Sequence, residues 1–452
     1  MSVPYNDWLA TLTRKAALRE RAGLRRSVAA RGPAIDLAGN DYLGLSSDSR
    51  VLAAAAKALS EFGLGATASR LVRGTTGLHL ELEEALAEWI GTQRALVYSS
   101  GYLANLGAIR ALASLTPNTL IVSDAHCHAS MIDGCRLSRA ETVVFEHGNA
   151  THAASLLQPG RLNVILTESV FSVDGDLAPL RELHAAARAH GALLLIDDAH
   201  GLGVLDATRF LAGEPDVVIT ATLSKALGGS GGVVAGPAPL IDHLIDTGRT
   251  FIFDTALPPA VAAGVLTALS IARDADDLRA ELHRRAALLA ALPGSSFPTL
   301  PAALGPTAPG SLPAAPTALG PDAPAAFAAS ASTPLGGVSA PTASSAIESA
   351  AFDGAATAAL GGVSAFLGRA TGGGAMATTP PGGVVSLTAP GAQEAVAWAA
   401  ACRSKGIAVG CFRPPSTPDN RSRLRLTVNV GVPEEEFLEA LEVIELCRPS
   451  QG

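Results

Sequence analysis

Short apolar runs recur along the middle of the chain, each separated from the next by a stretch with helical period. They are Ala95–Tyr98, Leu120–Ser123, Thr142–Phe145, Val164–Thr167, Leu193–Ile196, Val217–Ile219 and Val233–Ala235. Runs that are apolar on both faces and alternate with helices predict the buried strands of a mostly parallel, seven-stranded sheet covered on each side. Upstream, the pattern predicts an Arg-rich amphipathic helix over about 6–30, then a short strand breaking into a turn at Leu37–Leu45. Helices follow at Leu52–Phe62 and His79–Ile90. Downstream, Val384 to Leu446 reads strand, helix (Ala392–Ser404), strand (Ala408–Phe412), loop, strand (Leu424–Val430) and helix (Pro433–Leu446), a small α/β domain.

These elements divide the chain into an N-terminal helix and arm (1–45), a large α/β domain (46–257) and a small C-terminal domain built from 258–295 and 384–452. The stretch 296–383 is almost wholly Ala, Pro, Gly, Ser, Thr and Leu, and carries L-G-G-V-S-A at 335–340 and again at 360–365. Two copies do not make a solenoid. The composition predicts a disordered insertion that the chemistry does not need.

The length of 452 residues exceeds what one core usually accommodates, in keeping with two packed domains. A formal net charge of -8 argues against nucleic acid and anionic membranes as main partners, while leaving room for a local basic pocket. Cys127, Cys135, Cys402, Cys411 and Cys447 are odd in number and form no C-x-x-C pair, which predicts a reduced, cytoplasmic compartment. No signal-peptide core and no membrane-spanning run is expected.

In a parallel sheet, ligands collect at the carboxyl ends of the strands. Polar residues cluster there: Ser99, Ser100, Asp124, His128, Glu168, Asp197, His200 and Thr222 to Lys225. In A-T-L-S-K-A-L-G (221–228), Lys225 sits between a strand end and a Gly-rich stretch. Taken alone it reads as a solvated surface charge. Desolvated, its amine loses pKa and becomes a nucleophile toward an aldehyde. Thr222 and Ser224 offer hydroxyls to a phosphate. In L-L-I-D-D-A-H-G-L-G (194–203), Asp197 either caps the next helix or faces a pyridine nitrogen, where an anion keeps the ring protonated. His200 lies three residues on, within reach of such a ring's phenolic oxygen.

In S-D-A-H-C-H-A-S (123–130), two histidines two residues apart suggest a metal at first sight. An extended segment would point them to opposite faces, and no carboxylate or Cys spacing supports a metal. A ring stacked flat on a cofactor, His128, is the better reading. V-Y-S-S-G-Y-L-A-N (97–105) ends a strand and opens a helix at Gly101 and Tyr102, a setting that suits a phosphate. In C-F-R-P-P-S-T-P (411–418), the prolines stiffen the loop after Arg413, whose guanidinium is either a surface charge or a bidentate carboxylate site.

Taken in order, N-D-Y-L-G-L (40–45), S-G-Y-x-A-N (100–105), S-V-F-S-V-D-G-D (169–176), D-D-A-H-G-L-G (197–203) and T-L-S-K-A-L-G (222–228) resemble the α-oxoamine synthases. The resemblance runs from about Ala22 to Ala262 and from about Val384 to Leu446. It implies the pyridoxal 5'-phosphate (PLP)-dependent transferase fold of type I. Lys225 is then the Schiff-base lysine, Asp197 the carboxylate at the pyridine nitrogen, His200 the partner of the phenolic oxygen and His128 the stacking histidine, which also meets substrate. Gly101, Tyr102, Ser172 and Thr222 are further cofactor contacts. Arg413 binds the amino-acid carboxylate with Asn40 beside it, and Arg25 and Ser416 contact substrate. Ser416 stands where the family usually has Thr. P-D-N-R-S-R-L-R-L replaces the usual P-x-G-x-x-R-L-R-L, which predicts an altered loop.

The implied reaction is a decarboxylative condensation of an amino acid with an acyl thioester, in a homodimer with no metal. F-R-P-P and the Arg-rich first helix resemble one branch of that family, and this resemblance implies L-alanine and a pimeloyl thioester, on CoA or a carrier protein. Relatives use glycine or serine. Competing readings are an aminotransferase or aldolase of the same fold, and a non-catalytic paralogue acting as a binding subunit. A nucleotide-binding module is disfavoured because no G-x-G-x-x-G follows the first strand of the sheet.

Overall fold

The computed structural model describes residues 7–295 and 382–449. The stretch read as a disordered insertion lies outside these residues, apart from Gly382 and Gly383. All seven apolar runs of the middle of the chain are strands: β2 (Arg94–Tyr98), β3 (Leu120–Asp124), β4 (Glu141–Phe145), β5 (Asn163–Glu168), β6 (Leu193–Asp197), β7 (Val217–Thr222) and β8 (Gly232–Gly236), after a first strand β1 (Ile35–Leu37). They form one sheet of order β2-β8-β7-β6-β5-β3-β4, in which β8 alone runs against its neighbours.

Alternate residues of these strands enter two separate cores. Val97, Val122, Ile165, Leu194, Ile196 and Ile219 pack on one face. Leu96, Ile121, Val164, Leu166, Leu195 and Val218 pack on the other. A period of two with both faces apolar is what helices on each side of a parallel sheet require.

The second sheet has order β1-β10-β11-β9, with β9 at Val384–Thr388, β10 at Ile407–Phe412 and β11 at Arg423–Thr427. Its edge strand β1 comes from the N-terminal arm and pairs in parallel with β10. The arm is therefore built into the C-terminal sheet. The strand predicted to begin at Leu37 ends there, because Asp36 turns the chain by accepting the backbone N–H groups of Ala38 and Gly39 at 2.9 and 2.8 Å.

The helix predicted over about 6–30 spans Trp8–Arg21. Gly23, at φ +66°, reverses the chain just beyond it, a conformation that costs glycine little. The helix Pro259–Arg273, assigned by sequence to the small domain, packs against the large-domain helices Ser49–Phe62 and Gly77–Ile90. The next helix, Asp276–Ala290, goes with the C-terminal sheet: Arg285 donates to the carbonyls of Asn429 and Val432. Asn420 takes the left-handed φ of +57° that a glycine adopts freely, so Asn in that position does not prevent the turn.

Candidate active site

The carboxyl ends of β2, β5, β6 and β7 converge on one buried set of polar side chains. Lys225 follows β7, and its Nζ lies 2.6 Å from Nε2 of His200, in the turn after β6. His200 Nδ1 is 2.6 Å from the hydroxyl of Tyr42, which reaches Oδ1 of Asn40 at 3.3 Å. Burial holds the Lys225 amine down to about 8, with Arg425 adding to the effect and Asp197 opposing it. Burial also pushes His200 well below its ordinary value, helped by Lys225. A lysine ammonium therefore donates to a neutral imidazole, and His200 Nδ1–H passes the polarity on to Tyr42. Burial raises the Tyr42 phenol to about 12.

Asp197 ends β6. Its Oδ1 accepts the N–H of Ala199 at 3.0 Å and its Oδ2 accepts from Asn105 Nδ2 at 2.7 Å. His128 caps the helix Ala129–Ser138, and its Nδ1 faces the hydroxyl of Ser130 at 2.7 Å. Burial, with Lys225 behind it, lowers the His128 pKa. Its sequence neighbour His126 turns away and stacks on His147, 3.7 Å between ring centroids.

Gly101 opens the helix Gly101–Ala113, capped by Ser100, whose hydroxyl accepts the N–H of Leu103 at 3.2 Å. A Cβ on Gly101 would meet Cβ of Thr222 at 3.0 Å, so the glycine lets this helix end approach β7. Gly232 is tighter still: its Cβ would stand 2.4 Å from the carbonyl oxygen of Ser100. Thr222 Oγ1 lies 2.7 Å from Ser224 Oγ and 3.0 Å from the carbonyl of Gly231. Two hydroxyls beside a helix N-terminus form a fitting cradle for a phosphate. Tyr102 and Ser99 turn to other partners, Asp133 and Asp254.

The cations are arranged differently from the sequence reading. Arg413 donates to the carbonyls of Gly23 and Arg25. The guanidinium that reaches Asn40 is Arg425, at 3.1 Å from Oδ1, and its Nε donates to the carbonyl of Ser172 at 2.6 Å. Arg25 has a side chain 62% exposed and turns back to Glu20 of the preceding helix. Arg26 is the residue that meets Ser416, at 2.6 Å. The reversal at Gly23 produces this, because it folds residues 23–26 against the 413–416 loop.

Arg70, Arg285, Arg423 and Arg425 are all buried. Arg70 pairs with Glu83, Arg285 with Glu281, and Arg423 with Asp174 and Asp419. Among the described residues Arg425 has no carboxylate within ion-pair distance. A buried guanidinium lacking a counter-ion is costly unless an anion completes it.

Sequence reasoning also left Tyr42 and Asn105 without roles and named Glu168 only as a polar strand end. Glu168 ends β5 opposite Asp197 and is 2% exposed. Its Oε2 accepts the N–H of Ser172 at 3.2 Å, and its Oε1 has no partner in the structure. Burial, then Asp197, raises its pKa well above its ordinary value, which favours the neutral carboxyl.

A desolvated lysine, a fixed carboxylate, a buried imidazole and a hydroxyl-lined helix end are the parts that a pyridoxal phosphate needs, and they fit it. The sequence model of aminotransferase class I and II matches residues 33–300. The fold and site thus define a PLP-dependent enzyme of the class I and II aminotransferase fold. The chain is 41% identical over 451 residues to the 8-amino-7-oxononanoate synthase of Mycolicibacterium gilvum (strain PYR-GCK), covering 96% of each. It is also 41% identical over 451 residues to that of Mycolicibacterium smegmatis (strain ATCC 700084 / mc(2)155), covering 97% of this chain and 95% of the other. Serine palmitoyltransferase of Sphingomonas wittichii shares the fold with a TM-score of 0.71 at 25% identity, over 99% of this chain and 98% of that one. The chain belongs to the 8-amino-7-oxononanoate synthase family, acyl-transferring enzymes of biotin biosynthesis. Among the described residues no helix is long and apolar enough to cross a membrane.

Proposed function

We propose that this protein condenses L-alanine with a pimeloyl thioester to give 8-amino-7-oxononanoate, carbon dioxide and the free thiol of the carrier. The observation that carries the reading is Arg425: a buried cation without a carboxylate partner among the described residues, sharing Asn40 with the Tyr42–His200–Lys225 chain. An α-amino acid's carboxylate is the complementary anion. Placed there, its amine lies toward Lys225. Alanine and the pimeloyl group come from the synthases that the chain matches in sequence.

Pyridoxal phosphate, when bound, supplies an aldehyde for Lys225 and a ring that accepts the electron pair left at the amino acid's Cα. The chain's own residues do the rest. Asp197 would present a carboxylate oxygen to the ring nitrogen. His128 would lie beside the ring, His200 would meet its phenolic oxygen, and Ser172 would border it. Gly101, Thr222 and Ser224 would receive the phosphate, with Tyr102 at its edge. Lys225, with its amine held near 8, removes the Cα proton and returns a proton at the end. Arg425 and Asn40 fix the carboxylate until it leaves as carbon dioxide.

Arg26 meets Ser416, and Arg413 holds the backbone of Gly23 and Arg25 next to it; this positive edge suits the anionic groups of the acyl carrier. Exposed Leu71, Val72 and Phe253 border the Ser69–Thr255 bridge and support a homodimer joined across this face. The test is thiol release from pimeloyl-CoA by the PLP-loaded protein with alanine, glycine or serine, beside Lys225→Ala. Release that requires alanine and Lys225 supports the reading. Release with glycine or serine but not alanine would reassign the amino acid.

A further inference from the structure

Asn105 lies one helical turn inside the helix Gly101–Ala113 and touches neither Lys225 nor Arg425 in any hydrogen bond of the structure. It is nonetheless bonded at every polar atom. Thr220 Oγ1, on β7, lies 2.6 Å from Asn105 Oδ1. Asn105 Nδ2 donates to Asp197 Oδ2 at 2.7 Å and to Ser130 Oγ at 2.8 Å. A carboxylate oxygen only accepts, so the amide has one orientation: its nitrogen faces Asp197, and its oxygen must accept from Thr220. Ser130 Oγ receives an amide hydrogen, so its own proton points to its remaining partner, His128 Nδ1 at 2.7 Å. The backbone N–H of Ser130 approaches the same nitrogen at 3.2 Å. Two donors aimed at Nδ1 leave the imidazole proton on Nε2.

We propose that Asn105 is a positioning residue: it fixes His128 as the Nε2–H tautomer and ties that choice to Asp197 as acceptor. Thr220, Asn105 and Ser130 are 1%, 3% and 1% exposed, so water has little access to replace these bonds. The lowered pKa of His128 agrees with a neutral ring. The proposal deepens the functional reading, since His128 and Asp197 are the groups assigned to the cofactor ring. Through one amide, the donor beside the ring and the acceptor at its nitrogen are set together. Asp197, Lys225 and Glu168 also face His128 or its backbone, but none of them is within hydrogen-bond distance of its Nδ1.

The test needs no turnover. Long-range proton–nitrogen correlation spectra of the full apoprotein, labelled with nitrogen-15 histidine, report the His128 tautomer, with His128→Gln used for assignment. The expected result is Nε2–H in the parent and also in Thr220→Val, where the amide still faces Asp197. An added Nδ1–H population is expected in Asn105→Ala and in Asn105→Leu, which removes both polar atoms at nearly constant shape. These two Asn105 variants are expected to bind PLP at least 10-fold more weakly. Nδ1–H or a protonated ring in the parent overturns the proposal, as does an unchanged tautomer in the Asn105 variants. If Asn105→Ala does not fold, the parent spectrum and Asn105→Leu still decide. Failure of the parent to bind PLP would sink the functional reading while leaving the tautomer result to stand or fall alone.

Discussion

Nζ of Lys225 and Nε2 of His200 lie 2.6 Å apart in a buried site, and burial, with Lys225 beside it, holds the His200 imidazole well below its ordinary pKa. Burial and its neighbours bring Lys225 to about 8. The free amine, the form that captures an aldehyde, therefore increases with pH and is nearly fully present above pH 9. Stopped-flow absorbance of PLP capture by the apoprotein should rise through pH 8 and level off. A rate still climbing at pH 10 would mean an ordinary exposed lysine.

Arg425, rather than Arg413, should govern amino-acid binding. Charge-assisted hydrogen bonds contribute about 1.5–3 kcal/mol each, so Arg425→Ala should raise the alanine KM roughly 10- to 100-fold. Arg425→Lys should recover only part of this, because a point charge replaces a planar fork. Arg413→Ala should change that KM less than about 3-fold by the same reasoning, since its guanidinium serves backbone carbonyls of residues 23 and 25. Steady-state kinetics with alanine varied distinguish the three.

The contrast between these two arginines shows what the sequence carried and what it did not. The seven strands were readable because a short run apolar on both faces suits a strand buried between two layers of helices and little else. Lys225, Asp197 and His200 were readable because they follow such runs directly, and the structure brings Lys225 and His200 into contact. Arg425 was hidden by its own strand. R-L-R-L alternates like an edge strand with solvated arginines, yet the 169–176 loop and Asn40 of the arm cover that face and bury both Arg423 and Arg425. That cover comes from residues some 250 and 385 positions away in sequence. Asn105 was hidden for a similar reason: inside a helix, one asparagine says nothing until β6 and β7 arrive beside it.

Glu168 and Asp197 are neighbouring carboxyl groups in different settings: burial raises the pKa of the first, while the second accepts two hydrogen bonds. Glu168→Gln keeps a neutral group of the same shape and should retain PLP affinity within about 3-fold, under 1 kcal/mol. Asp197→Asn should lose at least about 100-fold in turnover, near 3 kcal/mol of transition-state stabilisation. Spectroscopic titration with PLP, followed by kinetics, separates the pair.

His147 bridges Asp124 and Asp176 at 2.9 and 2.8 Å, beside the loop that carries Ser172. Burial works against its charge, but the two carboxylates outweigh it and raise its pKa to about 9. A raised pKa stabilises the fold fully below the unfolded value near 6.5, and the effect is lost as pH climbs through 9. The shift corresponds to stability on the order of 3 kcal/mol. His147→Gln should therefore destabilise the protein much more at pH 6 than at pH 10. Urea unfolding at the two pH values measures the difference, and an equal loss at both would rule out the ion pairs as its cause.

The most direct test of the whole account follows both leaving groups in one reaction. The PLP-loaded protein is given pimeloyl-CoA and alanine labelled with carbon-13 at the carboxylate, and labelled carbon dioxide and free thiol are counted together. The account predicts equal amounts of the two, both absent in Lys225→Ala. Thiol released without labelled carbon dioxide, or carbon dioxide without thiol, would contradict it.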